Sequence, residues 1–204
     1  AGNLTNHLLN MDCSVIAADV STGFLNLISK KFEGKKVKTF ELNGKNLDGL
    51  DDSSVDFIAT YSVLHHIPDY LATIHEMIRV CAPGGIIYID HEQNNEYWLH
   101  KSEYLEFKKK AQKIDLKKFF VLSNYIGKVK RIFNPKYANE GDIHVWYDDH
   151  VEWDIIDKIM SEKGLKKVLQ NDFLLYNKNY KEHIYHEYKD ICTDMRVTAY
   201  QKNL

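Results

Sequence analysis

Residues 55–69 read VDFIATYSVLHHIPD, and residues 79–90 read RVCAPGGIIYID. The first segment predicts a buried strand, Val55–Thr60, that runs into a polar loop, and the second predicts another buried strand, Ile86–Asp90, after a Pro-Gly-Gly turn. Apolar residues at helical spacing predict a helix over Tyr70–Val80 between them. This order is that of a parallel βαβ crossover, and open sheets of this kind bind ligands at the loops that follow their strands.

The alternation of strands and helices continues on both sides of this crossover. Ahead of it, strands predicted at Ser14–Asp19 and Val37–Leu42 flank a helix predicted over Ser21–Lys31. After it, residues 96–139 are helical, aromatic and basic in pattern, with no strand signal. The α/β pattern then returns with one helix and two terminal strands, which are Val151–Lys163, Lys166–Leu175 and Met195–Gln201.

These patterns divide the chain into three segments. Residues 1–95 are expected to form an α/β core in which the first βα unit is cut short. Residues 96–142 are expected to form a helical insert or lid, and residues 143–204 the remainder of the core with its terminal pair of strands.

Composition excludes several classes of protein. The 204 residues are 44% hydrophobic with a net charge of -2, and no run of about 18 apolar residues could span a bilayer. The chain lacks a basic-then-apolar start typical of a signal sequence. Its cysteines, Cys13, Cys81 and Cys192, are widely spaced and indicate reduced thiols, so we expect a cytoplasmic protein. His65-His66 has no further ligands at matching spacing, so no metal site is expected.

Charge is unevenly distributed. Residues 97–141 hold eleven Lys and Arg against four Asp and Glu. Such a segment favours an anionic partner, which could be a phosphorylated substrate, nucleic acid or a membrane surface. Helical spacing of the lysines favours a solvated helix face over such a partner, and the scarcity of arginine argues against nucleic acid.

The order of elements and three motifs resemble the class I S-adenosylmethionine-dependent methyltransferases over nearly the whole chain except the insert. The motifs are Asp56-Phe57, Leu64-His65-His66-Ile67 and Pro83-Gly84-Gly85. The resemblance implies an α/β, Rossmann-like, doubly wound fold with a mostly parallel sheet, an antiparallel last strand and a helical insert. It also implies S-adenosylmethionine as cofactor and methyl transfer to an O, N or C atom of a small-molecule acceptor.

The resemblance also implies cofactor contacts. Asp19 ends a strand where the family binds both ribose hydroxyls, although nicotinamide enzymes place an acid there too. Asn43-Gly44 falls where the family approaches adenine, and a simple turn explains the pair equally well. Tyr61 and Ser62 fall beside the methionine half, and Gly2 matches the last glycine of the family's first motif. The expected cofactor residues are Gly2, Asp19, Val20, Asn43, Gly44, Tyr61 and Ser62.

Three histidines are candidate proton acceptors, namely His66, His91 and His144. Each could take a proton from the attacking group, and each could instead be structural, since many methyl transfers need only alignment. Two alternative functions stay open. One is a nicotinamide-dependent oxidoreductase, which the terminal pair of strands, expected to be antiparallel, disfavours. The other is a non-catalytic or RNA-binding module with a methyltransferase-like fold.

Overall fold

The computed structural model describes residues 2–113 and 150–204, so His144 and most of the expected insert lie outside the described residues. The strands are β1 Val15–Asp19, β2 Val37–Glu41, β3 Val55–Tyr61, β4 Cys81–Gln93, β5 Leu165–Phe173 and β6 Met195–Lys202. The α-helices are α1 Asn3–Asn10, α2 Thr22–Lys31, α3 Tyr70–Val80, α4 Asn95–Trp98, α5 Ser102–Ala111, α6 Trp153–Glu162 and α7 Glu182–Tyr188. A short 3₁₀ helix, Leu64–His66, follows β3.

The strands form two groups. β1 and β2 pair in parallel, and the other four form a sheet in the order β3-β4-β6-β5. β3 and β4 are parallel, whereas β6 is antiparallel to both of its neighbours. The expected α/β fold with an antiparallel last strand is therefore confirmed. In the described ranges β1 and β3 belong to separate sheets, where the sequence predicts one.

β4 is longer than predicted and begins directly after α3. Cys81 pairs with Val55 and Ile86 pairs with Phe57, so residues 82–85 form an irregularity within the strand and not a turn before it. Glycine is required at position 85, because a Cβ atom there would lie 2.8 Å from the Ala82 carbonyl oxygen.

One apolar core lies between the four-stranded sheet and two helices. Ile87 and Ile89 of β4 point to this face and are fully buried. α3 contributes Ile74 and Met77, and α6 contributes its own stripe of Trp153, Ile156 and Met160. Because α3 follows β3 and α6 packs on β5, this core fixes where the carboxyl ends of β3 and β4 lie.

A second apolar cluster joins α5 to α7. Its buried members are Tyr104, Phe107, Ala111, Leu174, Tyr180, Tyr188 and Cys192. Tyr104 and Phe107 are thus core residues of this cluster. The tyrosine-rich segment 177–193, whose sequence predicts no element, contains α7 and completes the cluster. Asp194 is buried beside it, and burial raises the pKa of its carboxyl to about 6.

The three cysteines are free thiols, and Cys81 and Cys192 are buried. Within residues 2–113 and 150–204, no group of three or more metal-ligating side chains comes together. Over the same ranges, every helix is too short or too polar to cross a bilayer.

The second cluster predicts a large cost for truncating its central ring. Phe107 is fully buried against Tyr180 and Tyr188, with ring centroids 5.0 and 5.8 Å apart. We expect Phe107→Ala to lower the free energy of unfolding by about 3 kcal/mol or more, because it leaves a cavity. Leu105→Ala on the same helix removes a side chain that is 50% exposed and should cost less than about 1 kcal/mol. Urea denaturation of both variants measures the difference, and equal losses would contradict the packing described.

Candidate active site

Asp19 stands at the carboxyl end of β1. Its Oδ1 accepts the backbone N–H of Ser21 at 2.8 Å, and its carbonyl oxygen accepts the N–H of Leu42 at 2.9 Å. Ser21 in turn caps α2 by accepting the N–H of Phe24. The carboxylate is therefore held between the ends of two parallel strands and the first turn of a helix, where the helix dipole favours negative charge.

Val20 and Gly44 lie together beside this carboxylate. Val20 is 61% exposed, and a Cβ atom on Gly44 would lie 3.8 Å from its Cγ1. Asn43 is occupied within its own turn, since its Oδ1 accepts the N–H groups of Lys45 and Asn46 at 2.8 and 3.0 Å. The side-chain oxygen of Asn43 is therefore committed to the turn, while Val20 and Gly44 present an apolar side chain and bare backbone.

The loop that contains this turn is fastened to α3. Glu76 accepts the N–H of Leu47 at 3.0 Å, and Arg79 donates to the carbonyl oxygens of Leu47 and Leu50 at 3.2 and 2.9 Å. Glu76 and Arg79 also pair with each other, and the hydrogen bonds from Arg79 lower the pKa of Glu76. The loop after β2 is thus tied to the helix that follows β3.

Gly2 precedes the first helix and contacts α2. A Cβ atom at this position would come within 2.6 Å of Ile28 and 2.8 Å of Phe32, and its φ of 79° suits glycine. Ile28 belongs to the second half of α2, and Phe32 directly follows that helix. Gly2 therefore packs against that helix where the chain enters α1.

A second group of side chains gathers at the carboxyl ends of β3 and β4. Tyr61 pairs with Asp90 across the two strands, and the N–H of Ser62 donates to the carbonyl oxygen of Asp90 at 2.9 Å. The ring of Tyr61 stacks on His91 with centroids 4.1 Å apart. Phe173, at the end of β5, approaches the same imidazole edge-on at 5.4 Å. Three of the predicted residues are thus brought together here.

His91 is oriented by the residue before it. Its Nδ1 lies 2.8 Å from Oδ1 of Asp90, and the other oxygen of Asp90 accepts the hydroxyl of Tyr88 at 2.9 Å. If Nδ1 carries the proton and donates it, Nε2 is the nitrogen with a free lone pair. Burial raises the pKa of Tyr88 to about 12, and burial followed by the charge of Asp90 raises that of Tyr61. Both phenols therefore stay neutral near pH 7, and His91 supplies an imidazole at the end of β4.

His66 lies on the 3₁₀ helix after β3, with its ring centroid 3.9 Å from that of His65. Its N–H donates to the carbonyl oxygen of Val63. His144, the third predicted proton acceptor, lies outside the described residues.

Sequence reasoning missed two carboxylates of this edge. Asp90 holds His91, and Glu92, which is 0% exposed, accepts hydrogen bonds from the loop after β3. The acid-His-acid triplet at 90–92 is visible in the sequence, but its burial is not. His91 has a φ of 58°, and the pairing with β6 shifts between Ile89 and Glu92, so the alternation of β4 cannot be extrapolated to position 92.

The first half of the chain is similar in sequence to known methyltransferases. A family described as a methyltransferase domain matches residues 1–89. Demethylmenaquinone methyltransferases of Oceanobacillus iheyensis and Bacillus cereus are 29% and 30% identical over 97 residues, which cover 46% of this chain. The matched segment spans 41% of the length of each of these relatives.

The fold is similar to that of solved methyltransferases. An S-adenosylmethionine-dependent methyltransferase from Methanosarcina mazei aligns with a TM-score of 0.59 at 17% identity, over 100% of this chain and 88% of its own. One from Mesorhizobium loti aligns with a TM-score of 0.62 at 12% identity, over 98% and 86%. Residues 1–89 therefore match a methyltransferase domain, and the described fold is similar to that of S-adenosylmethionine-dependent methyltransferases, which implies S-adenosylmethionine as cofactor.

Proposed function

We propose that the chain binds S-adenosylmethionine along the carboxyl ends of its parallel strands and transfers the methyl group to an oxygen, nitrogen or carbon atom of a small-molecule acceptor. The observation that carries the proposal is the position of Asp19 at the end of β1, beside exposed Val20 and the bare backbone of Gly44. A carboxylate in this place can accept from both ribose hydroxyls, with the base lying over the neighbouring apolar and backbone surface.

The remaining cofactor contacts follow the same edge. Val20 and Gly44 would contact adenine, and the turn of Asn43 would contribute backbone groups, because its side chain is engaged within that turn. Tyr61 and Ser62 would lie beside the methionine half. Gly2 stays in the proposal on the resemblance alone, since its contacts are with Ile28 and Phe32.

The class of acceptor is supported by the relatives. Several of them are named demethylmenaquinone methyltransferases, and a small aromatic acceptor of that kind is the proposal for this chain. An anionic acceptor, with which the excess of Lys and Arg in residues 97–141 would be compatible, and a cytoplasmic location belong to the same proposal.

His91 would be the proton acceptor of the reaction. The sulfonium is a strong electrophile, and an acceptor hydroxyl, amine or hydroquinone becomes a better nucleophile as it loses a proton. Asp90 fixes the ring through Nδ1, so that Nε2 is left to take this proton, and Tyr61 supports the ring by stacking. His66 and His144 stay as further candidates for the same role.

Cofactor binding tests the proposed function. We expect the wild-type chain to bind S-adenosylhomocysteine in calorimetry, and Asp19→Ala to raise the dissociation constant about 100-fold through the loss of two charge-assisted hydrogen bonds. Asp12→Asn is the matched control, because Asp12 precedes the same strand at its opposite end, forms an exposed ion pair with Lys36, and has a positive φ that asparagine tolerates. No binding by the wild type, or equal affinities of the two variants, would contradict the proposal.

Removing His91 tests the chemical step separately. His91→Asn suits the positive φ of this position, since asparagine tolerates that conformation. With labelled S-adenosylmethionine and demethylmenaquinone kept reduced, we expect methyl transfer to slow about 100-fold or more while S-adenosylhomocysteine affinity stays within about threefold. His183→Ala, on the exposed side of α7, should leave both unchanged. A His91→Asn variant with the wild-type rate would show that no base is needed there.

A further inference from the structure

The loop after β3 takes an unusual path. Ser62 has a φ of 53°, a conformation uncommon for a residue with a side chain, and the chain then turns into the 3₁₀ helix Leu64–His66. Such conformations persist only where the surroundings fix them, and they cluster at binding sites. The contacts that fix this loop therefore bear on how it could hold a ligand.

Three consecutive backbone amides of the loop point at the end of β4. The N–H of Ser62 donates to the carbonyl oxygen of Asp90 at 2.9 Å. The N–H groups of Val63 and Leu64 both donate to Oε1 of Glu92, each at 2.8 Å. Glu92 thus accepts hydrogen bonds from two successive backbone amides that lie beyond the paired part of β3.

Glu92 makes these bonds from a fully buried position. Its side chain is 0% exposed, and its second oxygen lies 2.7 Å from Nδ1 of His65. A carboxylate removed from water is costly unless it is hydrogen-bonded, and here two amides and an imidazole face it. An apolar residue at position 92 could fill the same space beside Leu64, but it would leave both amides without an acceptor. The burial of this acidic side chain is therefore explained by the loop and not by packing.

We infer that Glu92 is a positioning residue of the cofactor site, which holds the loop of residues 62–66 in the one conformation that receives the methionine half of the ligand. It acts through the loop and does not touch the ligand. The inference rests on the proposed function for the identity of that ligand. Without Glu92, the amides of Val63 and Leu64 lose their acceptor and the loop is free to relax toward negative φ at Ser62, which moves Ser62 away from the place where it would contact the cofactor.

The test compares four variants in two measurements. Glu92→Ala removes the acceptor, and Glu92→Met removes it while filling its volume, so that one of them keeps the core packed. Glu92→Gln retains a carbonyl oxygen for both amides and serves as the conservative rescue. Asp157→Asn is the matched control: Asp157 accepts from Lys167 and Tyr200 at 2.6 Å each, at the other end of β5 and β6. Amide hydrogen exchange is followed at Val63 and Leu64, and S-adenosylhomocysteine affinity by calorimetry, with thermal melts to show that each variant folds.

We expect Glu92→Ala and Glu92→Met to exchange these two amides about tenfold faster or more and to bind S-adenosylhomocysteine about tenfold more weakly. Glu92→Gln should stay within about threefold of the wild type in both measurements, and Asp157→Asn should change neither. A purely structural role would lower the melting temperature without this selective loss of affinity.

Two results overturn the inference. One is unchanged exchange or unchanged affinity in both Glu92→Ala and Glu92→Met, and the other is an equal loss of affinity in Asp157→Asn. If the wild type itself does not bind S-adenosylhomocysteine, the proposed function fails. The exchange rates then decide the role of Glu92 on their own: faster exchange at Val63 and Leu64 upholds its hold on the loop, and unchanged exchange refutes it.

Discussion

The candidate site depends on how the end of β4 satisfies the backbone of the loop after β3. A chain that leaves a parallel strand loses its ladder partners, and amides that turn inward must find other acceptors. Here the carbonyl of Asp90 and the carboxylate of Glu92 provide them for three residues in succession. The core beneath fixes β4 through Ile87 and Ile89, so the position of the loop is set by a strand whose inward-facing residues are fully buried.

The same strand end also organises the side chains that could do chemistry. Asp90 orients His91 through one oxygen and accepts from Tyr88 through the other, while His91 lies between the rings of Tyr61 and Phe173. Methyl transfer from a sulfonium needs alignment more than it needs strong acid or base catalysis. Under the proposed function, the oriented imidazole of His91 at this strand end would serve that alignment, and Arg79 and Glu76 tie the loop after β2 to α3.

The spacing of apolar residues predicted those helices and strands whose buried residues recur at the regular helix or strand repeat. The helix Tyr70–Val80 has the predicted bounds, and the strand before Asp19 differs by one residue, because apolar spacing and capping residues decide these elements locally. The predicted start of β4 at Ile86 was wrong, because Pro83-Gly84-Gly85 forms an irregularity within the strand. No local signal in the sequence distinguishes such an irregularity from a turn. α7 was missed for a related reason: its tyrosines are buried only by their contact with α5.

The residues of the candidate site likewise divide into those that local sequence patterns predict and those that they do not. Asp19, Tyr61 and His91 follow apolar runs, so the sequence places them at strand ends. Glu92 follows a residue with positive φ, and its burial depends on the path of a loop nearly 30 positions earlier in the chain, a distance that no local pattern spans.

A crystal structure of the protein with S-adenosylhomocysteine bound tests the central claim most directly. It should show the ribose hydroxyls about 3 Å from the carboxylate of Asp19. The amino-acid half should lie along Tyr61 and Ser62, with Glu92 still bonded to the amides of Val63 and Leu64. A ligand bound away from the carboxyl ends of β1 and β3, or a loop that has released Glu92 to receive it, would contradict the account.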